Sequence, residues 1–98
     1  MKAKVVFHAR AQDDLFDLYS YIRDRSGPRT AKAYVDRIRG HCLGFSAFPE
    51  RGMTRPDLGP NVRVVGFEGR VSIVFSVQKR EVVILGIFYG GRSIRIEG

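Results

Sequence analysis

Five side chains in the last third of the chain could act on a phosphate: Arg63, Arg70, Arg80, Tyr89 and Arg92. Guanidinium forks match phosphate and carboxylate oxygens better than ammonium groups do. If several of these residues project from the sheet face opposite the helices, they form a basic patch with one aromatic. Such a patch could bind RNA and stabilise charge in 2′-OH attack on a phosphate. The plainer reading of the same residues is a set of solvated arginines at strand ends.

Other chemistry finds less support. His8 and His41 are far apart and sit in no ligand-spacing motif, so no metal is expected. Cys42 has no internal disulfide partner and reads as a buried, small apolar side chain. Gly90-Gly91 follows a strand but opens no helix long enough to cradle a phosphate. No Ser/His/Asp or Cys/His nucleophile motif is present, and no cofactor is expected.

The elements that must hold these residues follow from periodicity. Lys4-Val5-Val6-Phe7 is a short apolar strand. From Ala9 to Arg25, the residues Ala11, Leu15, Leu18 and Ile22 define one helix face. Asp13 and Asp14 lie near its start, where the helix dipole favours negative charge. Ser26-Gly27-Pro28 stops this helix and starts another, with Ser26 or Gly27 as the cap and Pro28 as the first helical residue. The second helix runs from Pro28 to Ala47, with Ala31, Val35, Ile38, Cys42 and Phe45 on one face. So short a turn makes the two an antiparallel hairpin. Glu50 to Pro60 reads as a loop.

Three strands follow: Asn61 to Phe67, Val71 to Val77 and Val82 to Tyr89, joined by turns at Glu68-Gly69 and Gln78 to Arg80. The last is apolar on both faces, as a central strand should be. The expected fold is α+β, one domain over residues 1–98. An N-terminal strand and a helical hairpin pack on one face of a small antiparallel sheet of about four strands. Leu15, Ile22, Ile38, Phe45, Ile73, Phe75, Ile84 and Leu85 are the expected core.

A chain of 98 residues supports one core. No apolar run approaches the length of a membrane span, and no signal peptide follows the basic start, so a cytoplasmic protein is expected. Net charge is +7, and thirteen of seventeen cations are arginine. The partner should therefore be acidic, either nucleic acid or protein. Tyr19 and Tyr21, with Phe16, exceed what one core stripe needs and could form an apolar patch for it.

These parts, in this order, resemble the ParE branch of the RelE/ParE toxin superfamily. The resemblance begins at Ala11-Gln12-Asp13-Asp14-Leu15 leading to Tyr19-Ser20-Tyr21-Ile22, and continues through Ala33 to Arg39. It includes Phe48-Pro49-Glu50-Arg51-Gly52, Arg55-Pro56-Asp57-Leu58, Val71 to Phe75, Val82 to Phe88 and Tyr89-Gly90-Gly91-Arg92. It covers nearly the whole chain. Four positions depart from the family pattern: His8 for a helix-opening Ser or Thr, Met53 for a basic residue, Tyr89 for a frequent His, and Ser93 for Asp.

The resemblance implies a toxin of a type II toxin–antitoxin pair, neutralised by a ParD-like antitoxin whose C-terminal segment wraps it. It implies DNA gyrase as the target, with Tyr89, Arg92 and Arg95 as target contacts. Tyr19, Tyr21 and Arg37 are the expected antitoxin contacts. No catalytic residue, no membrane partner and no specific DNA binding without antitoxin are expected. The alternative is a RelE-like, ribosome-dependent mRNA endonuclease using Arg63, Tyr89 and Arg92. Against it, Val65 and Ser72 occupy two positions that are basic in those nucleases, and nothing after Ile94 is aromatic. A third reading is a non-toxic protein of the same fold that serves only as an antitoxin-bound co-repressor.

Overall fold

Local capping fixes where the helices begin and end. The computed structural model describes residues 3–90 and residue 94. Helix α1 (Ala9–Ser26) starts at His8, whose backbone is extended and whose Nδ1 accepts the Arg10 N–H at 3.1 Å. An imidazole nitrogen thus does the work usually given to a Ser or Asp oxygen. At the other end Gly27 has φ of 91°, a left-handed conformation open to glycine. Its N–H donates to the Arg23 carbonyl and its own carbonyl accepts from Ala31. One residue therefore closes α1 and opens α2 (Pro28–Leu43), with Pro28 at the first helical position. The tail of the second helix is shorter than expected. From Gly44 to Ser46 it tightens to a 3-10 turn that carries Phe45 into the core.

The strands are β1 (Lys4–Phe7), β2 (Met53–Thr54), β3 (Val62–Phe67), β4 (Val71–Gln78) and β5 (Glu81–Tyr89), in the spatial order β1-β5-β4-β3-β2. The α+β layout is as expected. The sheet, however, has five strands and is mixed rather than wholly antiparallel. β1 runs parallel to β5, with Val5 opposite Val82, because the chain crosses over through the helical hairpin before entering the meander. The extra strand, β2, lies within the expected loop and pairs with β3 through only two residues. Glu68 and Gly69 join β3 to β4 with φ of 51° and 72°, the paired positive values of a type I′ hairpin turn.

Both sheet faces are apolar. On the helix side, Leu15, Ile38, Phe45, Ile73, Phe75 and Ile84 are fully or almost fully buried. Ile22 and Leu85, also expected there, are only half-buried: Ile22 lies near the turn that joins the two helices and lines the groove there, and Leu85 faces the other way. On the far face Val62, Val74 and Phe88 form a second cluster, with Leu58, Val64, Leu85 and Ile94 packed against it.

A register shift in β5 decides which way its end points. Phe75 pairs with Ile84, while Val74 pairs with Gly86, leaving Leu85 as the extra residue of a β-bulge. Before the bulge Val82 and Ile84 face the helices; after it Ile87 and Tyr89 do. Unbroken alternation would have turned Tyr89 to the far face. The bulge is pinned by Asp14, whose carboxylate accepts the Ile87 N–H at 2.9 Å. Gly86 is required beside it, because a Cβ there would sit 2.8 Å from the Phe88 ring. Asp14 thus ties helix to sheet rather than serving the dipole; no acidic residue falls in the first turn of α1. Among the described residues, no helix is long and apolar enough to cross a membrane.

Candidate functional site

Where the helical hairpin meets the end of the sheet, a groove of about 590 Å³ opens. The C-terminal half of α1 supplies Tyr21, Ile22 and Arg25. The first ten residues of α2 supply Arg29, Ala33, Tyr34 and Arg37. Arg70, in the β3–β4 turn just before β4, and Tyr89, from the end of β5, complete it.

Three tyrosines form its aromatic wall. Tyr21 and Tyr89 pack with ring centroids 5.6 Å apart, and Tyr34 meets Tyr89 edge-on at 6.3 Å. The Arg25 guanidinium lies over the Tyr21 ring at 4.3 Å. Tyr34 is 9% exposed, and its hydroxyl is buried with no hydrogen-bond partner. Burial pushes the Tyr34 phenol up, with the neighbouring Tyr89 and Glu68 adding to this and Arg37 and Arg70 opposing it. At the rim Arg37 donates both arms of its fork to Glu68, at 2.9 and 3.0 Å. The pair holds Glu68, in its positive-φ turn position, below the usual carboxylate range.

The expected site residues divide. Tyr21, Arg37 and Tyr89 come together in this groove, so one expected target contact lies beside two expected antitoxin contacts. Tyr19 does not join them. Two residues along a helix is about 200° of rotation, and Tyr19 faces the outer furrow between the helices with Phe16, under the Arg23 guanidinium. The single patch expected of Phe16, Tyr19 and Tyr21 is therefore two separate ones. Arg92 and Arg95 lie outside the described residues.

The expected basic patch opposite the helices is absent among the described residues. That face carries the apolar Val62, Val74 and Phe88 cluster, while the bulge sends Tyr89 to the helix side and Arg70 borders the groove there. Arg63 stands beside the loop, its guanidinium donating to the Arg51 carbonyl at 3.4 Å. Arg63 pairs with Phe75 and Tyr89 with Val71, four residues apart on β4. That is about 13 Å along the strand direction, and the Arg63 guanidinium is turned to the loop rather than toward Tyr89.

Tyr34, Arg25 and Arg29 were missing from the expected site. Tyr34 could have been found, since it stands three residues after Ala31 and four before Ile38, on the apolar stripe of α2. The remaining reactive types serve the fold. Burial pushes the Cys42 thiol up to about 12, which removes it as a nucleophile at neutral pH. His41 packs against Phe45 and Phe67, and burial, helped by Arg51, pushes its pKa down. Among the described residues no three His, Cys, Asp or Glu side chains are grouped to hold a metal.

Comparison with known proteins decides the family. The model for the ParE toxin of the type II toxin–antitoxin system parDE matches residues 5–94. The chain belongs to the ParE toxin family. Among solved structures, the chromosomal ParDE toxin–antitoxin system from P. aeruginosa superposes with a TM-score of 0.78 at 26% identity, covering 91% of this chain and 97% of that one. The RelBE2 toxin–antitoxin complex from Mycobacterium tuberculosis superposes at 0.64 and 22% identity, covering 94% and 95%, and shares the fold. Comparison with curated proteins returns no significant match. This ParE-family toxin carries its aromatic and arginine groove on the helix side of a fold it shares with both solved structures.

Proposed function

We propose that this toxin arrests growth by binding DNA gyrase, acts in the cytoplasm, and is neutralised by a ParD-like antitoxin. The observation that carries the reading is the meeting of Tyr21 and Tyr89 in one arginine-bordered groove. Tyr89 is the proposed target contact, followed in sequence by Arg92 and Arg95; Tyr21 and Arg37 are proposed antitoxin contacts, with Tyr19 on the neighbouring furrow. An antitoxin segment seated on Tyr21 covers Tyr89 as well, so neutralisation is by occlusion. The toxin acts by binding, without a catalytic group of its own. The endonuclease alternative needs Arg63 and Tyr89 around one phosphate, and Arg63 is instead turned to the Arg51 carbonyl.

Purified toxin should inhibit gyrase supercoiling in a cell-free assay and leave ribosome-bound mRNA intact. Added antitoxin should restore supercoiling. Codon-positioned mRNA cleavage with normal supercoiling would overturn the proposal.

A further inference from the structure

Among the described residues, several cations are answered by a carboxylate: Arg10 by Asp14, Arg23 by Asp24, Lys32 by Asp36, Arg37 by Glu68 and Arg55 by Asp57. Arg29 and Arg70, like Lys79 and Arg80 of the β4–β5 turn, have no acidic partner among the described residues, but they alone of these four face an apolar groove. No aspartate or glutamate lines the groove.

Arg29 also stands against its local electrostatics. It lies in the first turn of α2, a turn with no acidic residue and a glycine cap that offers no side-chain bond. The positive end of the helix dipole makes a cation there unfavourable. Folding alone gives no reason for arginine at this position; an anion brought by a partner does.

The shape of the charge narrows the partner further. Ile22, Ala33 and Tyr34 give the groove an apolar lining. Arg25 and Arg29 stand on its helical side and Arg70 on its sheet side. The Tyr21–Tyr89 pair divides it from a smaller cleft of about 230 Å³ lined by Asp14 and Asp17. An occupant with carboxylates is drawn to one cleft and repelled by the other, which fixes its direction. A nucleobase fits less well, because Arg25 and Tyr89 already hold the Tyr21 ring that would stack on it.

We propose that this groove receives an acidic segment of the antitoxin, with an apolar side chain anchored on Tyr34 and Ile22 and carboxylates paired with Arg29 and Arg70. The proposal rests on the antitoxin reading above and adds the place and the chemistry of the contact. Arg37, already committed to Glu68, contributes less than either unpaired arginine.

The test uses the full toxin and the full antitoxin encoded by the adjacent reading frame. Affinity is measured at low and high salt for the native toxin, for Arg29→Glu with Arg70→Glu, and for Lys79→Glu with Arg80→Glu in the distant β4–β5 turn as a charge-matched control. The groove variant should bind about 100-fold more weakly and lose much of its salt dependence. The turn variant should stay within about threefold of native, as expected of charges away from the interface. Melting should show Arg29→Glu as stable as the native protein or more so, because its charge now suits the helix dipole. Equal affinities for the groove and turn variants would overturn the proposal while leaving the antitoxin reading intact. No native complex at all would overturn both. A fluorescent single-stranded oligonucleotide bound by native toxin and lost in the groove variant, with antitoxin affinity unchanged, would reassign the groove to nucleic acid.

Discussion

Two arginine-rich regions lie at opposite ends of the sheet, and they use the same side chain differently. At the loop end, Arg51 donates to the Phe48 carbonyl and covers the Phe45 and Phe48 rings. Arg55 grips Asp57 with both arms, and Arg63 donates to the Arg51 carbonyl. At the hairpin end, Arg29 and Arg70 border a groove with no carboxylate to meet. The lesson is that residue type does not decide whether an arginine serves the fold or a partner; the carbonyls and carboxylates within reach do.

The largest effect should come from the loop end. Phe45 is fully buried and packs on Phe75 at 4.7 Å between ring centroids. Phe45→Ala should cost about 3–5 kcal/mol in chemical denaturation, a large share of a small domain's stability. An effect below about 1 kcal/mol would mean that the loop end is not part of the core.

The groove end is held by a smaller device. Asp14→Ala removes the acceptor of the Ile87 N–H at the bulge and should cost roughly 1.5–3 kcal/mol. It should also free the end of β5, so amide exchange at Ile87 to Tyr89 should rise more than at Val71 to Phe75. Uniform exchange across both strands would break the assignment of Asp14 as the anchor of Tyr89.

Tyr34→Phe sharpens the comparison from the other direction. Deleting an unpartnered buried hydroxyl should raise stability by roughly 1 kcal/mol. A loss of that size would show that the hydroxyl has a partner in solution.

The smallest effect is pH-dependent and belongs to the loop end. His41 has its pKa lowered from 6.5 by burial and by Arg51. The folded state therefore binds a proton less readily than the unfolded chain. Its contribution is fully present above about pH 6.5 and is lost as pH falls through the folded pKa. His41→Phe should flatten the stability profile below about pH 6.5, where the unfolded chain takes up the proton and the folded chain resists it. An unchanged slope would place its origin elsewhere.

Much of this arrangement could be read from the residues. The 4-3-4 spacings gave both helices, Gly27-Pro28 gave the hairpin, and Glu68-Gly69 gave the tight turn. The bulge could not be read, because Leu85 and Gly86 continue an apolar run that looks the same with or without a register shift. That one shift moved Tyr89 to the helix side, away from the face where it was expected. Parallel pairing of β1 was also hidden, since Val5 and Val6 suit either direction. Arg29 did carry a signal, a cation in the first turn of a helix. Its meaning appeared only once Arg70 stood across the groove, forty-one residues later in sequence.

The central claim is that the antitoxin occupies the hairpin-end groove rather than the loop end. Hydroxyl-radical footprinting tests it with side chains already exposed at both ends: Tyr21 at 42% in the groove, and Phe48 at 67% and Met53 at 73% near the loop. In the complex Tyr21 oxidation should fall sharply while Phe48 and Met53 continue to react. Undiminished oxidation of Tyr21, with Phe48 and Met53 protected, would contradict the account.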